Sequence, residues 1–400
     1  MLELVLNACV YAPEFLGRRH LLVASGRVLW LGAVAPALPA EWAVRVTDLG
    51  GRRVVPGLID AHVHVTGGGG ESGFASRVPP QPLTVFTLGG VTTVVGLLGT
   101  DDLVRTPESL LAAVRGLREE GLSAWCYTGG YHVPPPTITG SVRGDLVHIG
   151  PMIGVGELAI SDHRSSQPTY EELIRIGSEA HVAGLMTGKA GVVHLHLGDG
   201  PRGLEMIRRA VTETELPPRV WYPTHVNRKK ALFEEALELA GRGVPIDVTA
   251  FPVAEGEDAW GAAEAVERYW RTGLPPERIT VSSDAGGCLP VFDADGRVAA
   301  MDVGRPRALG QTIRTLLAAG HPLEQVLPPF TSNVARILRL PGKGRIAVGG
   351  AADLVALGDD DSISDVMARG VWHVRDGHAI VHGTFEAAEA ASARQEEPRA

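Results

Sequence analysis

Two histidines separated by a single residue offer the clearest chemistry in the sequence. His62 and His64 end an apolar run, VVPGLIDAHVH. Side chains two residues apart in a β-strand point to the same side, so both imidazoles can reach one metal ion. Four consecutive glycines, residues 67–70, follow and lead directly to Glu71. Because a glycine-rich loop after a strand is typical of backbone that approaches a ligand, the pattern indicates a metal site beside a binding loop.

Three further residues of metal-ligand type lie at the ends of predicted strands. They are His196 in VVHLHLGD, His225 in YPTHVN and Asp284 in VSSDAGG. Imidazole and carboxylate ligands suit zinc and similar divalent ions. His194 precedes His196 by two residues and would share its side of the strand, so these residues alone leave the ligand ambiguous. We assign no role to four loop or helix histidines, His132, His148, His163 and His181.

The elements that must position these residues lie between residues 55 and 344. Short apolar runs alternate there with helical stretches such as PESLLAAVRGLREEG and KKALFEEALELAGRG. Such alternation indicates βαβ units and a parallel sheet. About eight units over roughly 280 residues fit an α/β fold of the (β/α)8 TIM-like barrel type, whose active sites lie at the carboxyl ends of the strands. A doubly wound sheet is the alternative.

Both ends of the chain have a sequence pattern typical of short β-strands, unlike the central segment. The segments LELVLNACVY and HLLVASGRVLWLGA come first, with a hairpin turn expected at Gly26, and GGAADLVALG and GVWHVRDGHAIVHG come last. We therefore expect residues 1–54 and 345–385 to form one small β-sandwich domain. Residues 386–400 are polar and rich in alanine, which predicts a disordered tail.

The composition favours a soluble enzyme over a nucleic-acid-binding or membrane protein. Hydrophobic residues make up 44% of the 400 residues, and the formal net charge is −9. A negative chain is poorly suited to nucleic acid, and no run reaches the roughly 18 apolar residues of a membrane helix. The N-terminal segment lacks the features of a secretory signal. The 3 cysteines show no CxxC spacing, so we expect no disulfide framework and a cytoplasmic location.

Longer strings resemble the amidohydrolase superfamily and, within it, the isoaspartyl (β-aspartyl) dipeptidase family. VPGLIDAHVH is similar to the superfamily's opening metal motif. The dipeptidase resemblance covers roughly residues 50–385 and rests on HVHVTGGGGE, GVTTVVGLLGTD, GGYHVPPPTITGSV, AISDHRS, HLGD, PTHVNR, SSD and GKGRIAVGGAADLV. It implies a (β/α)8 barrel joined to a β-sandwich that is built from both chain ends.

The resemblance also implies a centre of two divalent metal ions, zinc being the expected metal. The implied ligands are His62, His64 and Asp284 for one ion and His196 and His225 for the other. This assignment selects His196 over His194, because a single residue, Leu197, separates His196 from the family's Gly-Asp pair. A hydroxide shared by the two ions would be the nucleophile, and Asp284 would take its proton and deliver it to the leaving amine.

One departure from the family concerns the group that bridges the two ions. The family carries a carboxylated lysine in the segment before AISDHR, whereas this chain has Glu157 there. The lysines of the chain are Lys189, Lys229, Lys230 and Lys343, and all lie outside that segment. A glutamate offers the same two carboxylate oxygens on a shorter side chain, and Gly154 and Gly156 would let the backbone come closer. We expect Glu157 to bridge two metals; a single-metal site or a structural Glu157 is the alternative.

The resemblance extends to a substrate pocket. The implied contacts are Gly69, Glu71, Thr100, Tyr131, Arg164, Arg228 and Cys288. A β-aspartyl dipeptide carries two carboxylates and one ammonium group, so the arginines suit the former and Glu71 the latter. Tyr131 would donate to the carbonyl oxygen as it becomes anionic. Cys288 replaces the family's usual serine, which weakens one expected hydrogen bond to substrate.

These features predict metal-dependent hydrolysis of β-aspartyl dipeptides to aspartate and an amino acid. One alternative is a cyclic amidase or deacylase of the same superfamily, similar to dihydroorotase or hydantoinase. Another is a catalytically silent scaffold, which only the missing lysine favours. The retained Glu71, Tyr131, Arg164 and Arg228 favour the dipeptidase. The expected partner is a small dipeptide, without nucleic acid or membrane, and the resemblance implies a homo-oligomer, with an octamer as one form.

Overall fold

The computed structural model describes residues 2–292 and 298–386. The first strands are β1 (Leu2–Tyr11), β2 (Phe15–Ala24), β3 (Arg27–Gly32), β4 (Val44–Asp48) and β5 (Arg53–Pro56). The central strands are β6 (Leu58–Val63), β7 (Val91–Gly96), β8 (Ser123–Thr128), β9 (Met152–Ile160), β10 (Val192–Leu197), β11 (Trp221–Thr224), β12 (Ile246–Thr249) and β13 (Ile279–Ser282). The last strands are β14 (Cys288–Phe292), β15 (Val298–Val303), β16 (Leu354–Leu357), β17 (Ile363–Ala368), β18 (Val371–Arg375) and β19 (His378–Ala379).

In the part of the chain that the structure describes, a helix follows each central strand, and three helices follow the last one. The helices are α1 (Leu83–Thr87), α2 (Pro107–Glu119), α3 (Val142–His148), α4 (Tyr170–Thr187), α5 (Glu205–Glu213), α6 (Lys230–Gly241), α7 (Ala262–Arg271), α8 (Arg307–Ala318), α9 (Leu323–Val326) and α10 (Ser332–Ile337). None of the helices within the described ranges combines the length and apolar character required to cross a bilayer.

The eight central strands form a parallel barrel. Strands β6 to β11 are hydrogen-bonded in chain order, and β12 pairs with β13. A parallel bridge between Val63 and Ala285 joins the last strand region to the first. The side chain of Asn227 bonds both the N–H and the C=O of Thr249, and so ties the chain after β11 to β12. The expected TIM-like barrel is confirmed, and the doubly wound alternative is wrong.

Local sequence explains where two of the barrel helices begin. Thr106 caps the first turn of α2 through a reciprocal capping box with Ser109, and Pro107 occupies the first helical position. Thr169 and Glu172 form a second capping box at the start of α4. Such caps contribute on the order of 1 kcal/mol each. The central strands described above are almost entirely buried on both faces, as strands of a parallel sheet covered by helices are.

Strands from both chain ends share a second sheet. Its order is β19-β18-β17-β16-β5-β1-β2-β3, and β4 pairs with β1. The two ends meet where β16 runs antiparallel to β5, and the expected hairpin turn lies at Ser25 and Gly26, both with positive φ. The prediction of one β unit built from both ends is confirmed. The domain limits at residues 54/55 and 344/345 stay a prediction, and residues 387–400 of the expected tail lie outside the described residues.

Candidate metal centre and substrate pocket

The six candidate metal ligands converge at the carboxyl ends of barrel strands. His62, Glu157 and His196 lie within β6, β9 and β10, and His64, His225 and Asp284 come just after β6, β11 and β13. All six side chains are buried or nearly so. Because the carboxyl ends of parallel strands meet at one rim of a barrel, the fold brings together residues that are far apart in the sequence.

Two overlapping groups have the spacing of metal ligands. In the first, His62, His64 and Asp284 each offer an atom within 4.8 Å of the others. The Nε2 atoms of His62 and His64 lie 3.4 Å and 3.2 Å from Oδ1 of Asp284. In the second, His62, Glu157 and His225 meet the same distance condition. His62 belongs to both groups, so the two possible ion positions are adjacent.

Glu157 lies between these groups, with its two oxygens directed to different histidines. Oε1 is 3.4 Å from Nε2 of His64. Oε2 is 3.4 Å from Nε2 of His62, 3.2 Å from Nδ1 of His196 and 3.6 Å from Nε2 of His225. A carboxylate whose two oxygens face two sets of imidazoles has the arrangement that a bridging ligand needs.

Two of the candidate ligand atoms lack hydrogen-bond partners, as expected for atoms that bind a cation. Nε2 of His62 and Oδ1 of Asp284 are buried, and neither makes a hydrogen bond with any residue in the described ranges. Buried polar atoms are ordinarily hydrogen-bonded, so orphaned atoms that face each other require an explanation. Nitrogen and oxygen donors around one point are the donor set of zinc and related divalent ions.

Burial sets the charge state of these groups. It lowers the pKa of His196 to about 3 and holds that of His225 well below its usual value. Both imidazoles are therefore neutral near pH 7, the form that binds metal. Burial, together with the charge of Asp284, raises the pKa of Glu157 well above its ordinary value. A nearby cation would offset both causes and favour the ionised carboxylate.

The backbone at two of the candidate ligands adopts a conformation that L-residues rarely use. His225 has φ 59° and Asp284 has φ 52°, both in the left-handed region. Non-glycine residues there cost on the order of 1 kcal/mol or more and cluster at functional sites. The packing is also tight: a Cβ on Gly287 would lie 2.2 Å from Oδ1 of Asp284, and one on Gly99 would lie 2.8 Å from Cε1 of His64. Side chains at these glycines would displace the ligands.

The structure separates the two histidines of β10. His196 faces Glu157 through Nδ1, whereas both nitrogens of His194 have other partners. Nε2 of His194 is 2.8 Å from Nδ1 of His62, and its Nδ1 is 3.0 Å from the carbonyl oxygen of Tyr222. The geometry thus favours His196 over His194 as the ligand, as the family resemblance implied.

Two candidate ligands have a second nitrogen fixed by a neighbouring side chain that the sequence did not indicate. Nε2 of His196 lies 3.0 Å from Oδ2 of Asp162, and Nδ1 of His225 lies 2.7 Å from Oγ1 of Thr249. Such partners orient a metal-binding imidazole and fix its tautomer. Asp162 belongs to the string AISDHRS, but the string alone does not predict its contact with His196, which lies 34 positions later.

The cationic side of the pocket adjoins His196. Nη1 of Arg228 and Nη2 of Arg164 each lie 3.2 Å from Nε2 of His196. Arg164 is also held by two contacts with Asp162, of 3.0 Å and 2.7 Å. The hydroxyl of buried Tyr131 is 2.8 Å from Nδ1 of His196, and burial raises its pKa well above the ordinary value. Tyr131 therefore keeps its proton and acts as a donor.

The remaining candidate pocket residues lie at or beside the glycine-rich loop that leads to Glu71. Oε1 of Glu71 accepts a hydrogen bond of 3.0 Å from Thr100 and lies 3.5 Å from Nη1 of Arg164. A Cβ on Gly69 would lie 3.5 Å from Cβ of Cys288, so the glycine loop packs against that residue. Burial, and then the charge of Glu71, raise the pKa of Cys288. Its thiol is therefore neutral and inert, in agreement with a lining role.

The structure also accounts for the lysine nearest to Glu157 in sequence. Lys189 donates to the carbonyl oxygens of Leu146 and Ile149, at 2.5 Å and 2.7 Å, and so caps the end of α3. It precedes β10, whose carboxyl end carries His196. Because the amino and carboxyl ends of a barrel strand lie at opposite rims, Lys189 is on the wrong side of the barrel to reach the ligands.

Comparison with known proteins supplies the family. A model described as "Amidohydrolase family" matches residues 53–373. A solved structure of β-aspartyl dipeptidase from Fervidobacterium islandicum AW-1, in complex with the β-Asp-Leu dipeptide, is 42% identical and covers 95% of this chain and 98% of that one, with a TM-score of 0.87. The resemblance expected from the sequence is confirmed.

Curated relatives in the family carry other names. Imidazolonepropionase of Salinispora arenicola is 35% identical over 150 residues, and the match spans only 35% of this chain and 35% of that relative. Imidazolonepropionase of Pseudomonas paraeruginosa is 27% identical over 374 residues, which cover 84% of this chain and 86% of the relative. The barrel, the cluster of candidate ligands and the match over residues 53–373 agree, and the protein belongs to the amidohydrolase family.

Proposed function

We propose that this amidohydrolase cleaves β-aspartyl dipeptides and releases aspartate and an amino acid. One observation carries the proposal: Arg164 contacts both His196 of the candidate ligand cluster and Glu71, at 3.2 Å and 3.5 Å. Cationic and anionic groups thus stand side by side next to the candidate metal centre. The similarity to a β-aspartyl dipeptidase that was solved with β-Asp-Leu supports the same substrate class.

The residues that would hold two divalent ions, zinc by preference, are His62, His64, Glu157, His196, His225 and Asp284. When bound, such ions lower the pKa of a water molecule to about 7 and polarise the scissile carbonyl. Glu157 would link the two positions, because its oxygens already face different histidines. This glutamate would replace the carboxylated lysine of the family as the ligand that bridges the two ions.

Two side chains would handle protons and developing charge during hydrolysis. Oδ1 of Asp284 faces the Nε2 atoms of His62 and His64 and would bind the cation, so the second oxygen of this carboxylate would take a proton from the attacking water and return it to the leaving amine. The hydroxyl of Tyr131 would donate to the carbonyl oxygen as it becomes anionic. Its present acceptor is Nδ1 of His196, so a cation on that nitrogen would leave the hydroxyl free for substrate.

Cationic and anionic side chains would each bind the substrate groups of opposite charge. Arg164 and Arg228 lie on the side of His196 and would bind carboxylate groups, for which the planar guanidinium is well matched. Glu71 would bind the free α-ammonium group, with Thr100 and the backbone of Gly69 beside it. Cys288 would line the pocket next to that loop. A cyclic amide without an ammonium group would leave Glu71 unmatched.

A substrate screen combined with metal analysis tests the proposal. The metal-loaded protein should hydrolyse β-Asp-Leu, ignore α-Asp-Leu, and lose activity after chelation until divalent metal is restored. Dihydroorotate and imidazolonepropionate belong in the same screen, because curated relatives with matches over most of this chain include a dihydroorotase and an imidazolonepropionase. Faster turnover of either cyclic amide would contradict the dipeptidase proposal. Absence of both bound metal and turnover would favour the silent scaffold. Oligomeric state and location stay predictions.

A further inference from the structure

His194 is a buried histidine that neither the substrate pocket nor the ligand set uses. Its ring is fully buried in the barrel interior, between the rings of Tyr127 and Tyr222. The centroid distances are 4.9 Å and 4.8 Å, and the Tyr127 ring is stacked at 20°. A ring held between two aromatic side chains cannot rotate freely, so its two nitrogens have fixed directions.

One of these nitrogens must carry a proton. Nδ1 of His194 lies 3.0 Å from the carbonyl oxygen of Tyr222. A carbonyl oxygen only accepts hydrogen bonds, so Nδ1 of His194 is the donor. The other contacts of this ring in the described structure are one imidazole and two phenol rings, with no carboxylate among them. A fully buried imidazole with no carboxylate in contact is neutral, and its Nε2 therefore has a lone pair.

The tautomer of His194 in turn fixes the tautomer of the neighbouring ring, His62. Nε2 of His194 lies 2.8 Å from Nδ1 of His62. Because that Nε2 accepts, Nδ1 of His62 must donate, and the lone pair of His62 is on Nε2. Nε2 of His62 is the buried atom that lacks a hydrogen-bond partner among the described residues, and it lies 3.4 Å from both Glu157 and Asp284.

We propose that His194 is a positioning residue that fixes His62 in the tautomer and orientation needed to bind a metal ion through Nε2. The chain runs from the Tyr222 carbonyl through His194 to His62, and it rests on the proposed metal centre. The other tautomer of His62 would direct an N–H at the cation and would lose the bond to His194. Partners of this kind typically change metal affinity by about 10-fold to 100-fold.

The first test uses a pair of buried aromatic variants. His194→Phe keeps the ring but removes the acceptor for His62. Tyr127→Phe is the matched control, because it removes one hydroxyl bond, to the carbonyl oxygen of Ala61 at 3.2 Å, beside the same ring. Zinc affinity by chelator competition and the visible spectrum of the cobalt-loaded protein are the readouts. His194→Phe should bind zinc about 10-fold to 100-fold more weakly and change the cobalt spectrum. Tyr127→Phe should behave as wild type.

A conservative variant separates positioning from packing. In His194→Gln the side-chain oxygen can stand near the lost Nε2 and accept from His62, so zinc affinity should recover most of the loss. If His194→Phe does not fold, ¹⁵N-histidine NMR of the wild-type protein decides: the signals absent from His194→Gln must come from an Nδ1–H tautomer. An Nε2–H tautomer would overturn the proposal.

The outcomes separate this inference from the proposed function. Wild-type zinc affinity in His194→Phe, or an equal loss in Tyr127→Phe, would overturn the positioning role while the metal centre stands. A wild-type protein that takes up no divalent metal would make both the proposed function and the role of His194 wrong.

Discussion

Nη1 of Arg164 lies 3.5 Å from Oε1 of Glu71, so the cation and the anion that we assign to opposite charges of the substrate are themselves an ion pair. The pair is unequal, because Arg164 contacts Asp162 at 3.0 Å and 2.7 Å. The Asp162 side chain is 2% exposed and that of Glu71 is 24% exposed. Asp162 is therefore the main counter-charge of the arginine, and the charge of Glu71 remains accessible to an ammonium group.

The first prediction concerns this accessible charge. Glu71→Gln should raise KM for β-Asp-Leu at least about tenfold, which corresponds to about 1.4 kcal/mol, and should leave metal content unchanged. The physical reason is that a neutral amide cannot balance the substrate's ammonium group. Steady-state kinetics with parallel metal analysis measure both quantities. Glu234→Gln, at an exposed position on the outer helix α6, is the control. An unchanged KM in Glu71→Gln would remove Glu71 from substrate recognition.

The second prediction concerns the proposed bridge. Glu157→Ala should abolish detectable activity and lower the metal content per subunit, because two sets of histidines lose their common carboxylate. Elemental analysis and a β-Asp-Leu assay check this result. Glu157→Gln keeps the size of the side chain but removes its charge, and it should lose metal as well. Near-normal activity with two metals per subunit in the alanine variant would refute the bridging role.

Arg228 should act on substrate more than on metal. Its Nη1 donates to the carbonyl oxygen of Leu197 at 2.6 Å, which holds the guanidinium beside His196. Arg228→Met should raise KM for β-aspartyl dipeptides by about tenfold to a hundredfold, as expected for the loss of a charge-assisted contact. Zinc content should stay near that of the wild type. If metal analysis instead shows depletion, Arg228 supports His196 and is not a substrate contact.

Arg105 clamps the glycine-rich loop that carries the anionic side of the pocket. The guanidinium donates to the carbonyl oxygens of Thr66 and Val78, near the two ends of the loop, at 3.0 Å and 2.8 Å. A third contact, of 2.9 Å, joins it to Asp101. The side chain of Arg105 is only 9% exposed. One buried side chain thus closes loop 66–78 and links it to the residue after Thr100.

From this clamp we predict that Arg105→Met raises KM several-fold and makes the loop more sensitive to protease, with little change in metal content. The cause is loss of the bonds that order the loop before substrate binds. Arg118→Met is the control, because Arg118 is half-buried and bonds a backbone carbonyl, that of Ala124, away from the loop. Equal effects of the two variants on KM would show that the clamp has no specific role.

The last prediction concerns stability. Lys343 is 6% exposed and donates to Asp353 and to Ser123 of β8, both at 2.5 Å. Lys343→Met leaves the carboxylate buried without its cation, which typically costs about 3–5 kcal/mol. The midpoint of denaturant unfolding should fall, whereas kcat and metal content should stay near the wild-type values. Asp353→Asn together with Lys343→Met should recover part of the loss. An unchanged midpoint in Lys343→Met would contradict this role of the ion pair.

The sequence alone predicted the barrel and named the candidate site residues. Alternation of short apolar runs with helices predicted βαβ units, because periodicity reflects local burial. The His62–His64 pair and Glu157 could be recognised as candidate ligands because each lies in a short motif that resembles one of the family. The substitution of glutamate for the expected lysine was also visible there, since it depends only on which residue occupies one position.

Which atoms of these residues meet depends on the fold. His194 and His196 are both histidines on the same side of one strand. In the fold, His194 contacts His62, which lies 132 residues away, whereas His196 faces Glu157. The ion pair between Glu71 and Arg164 spans 93 residues in the same way. A hydrogen bond depends on the direction of two specific atoms, and those directions are set by packing between strands that are distant in sequence.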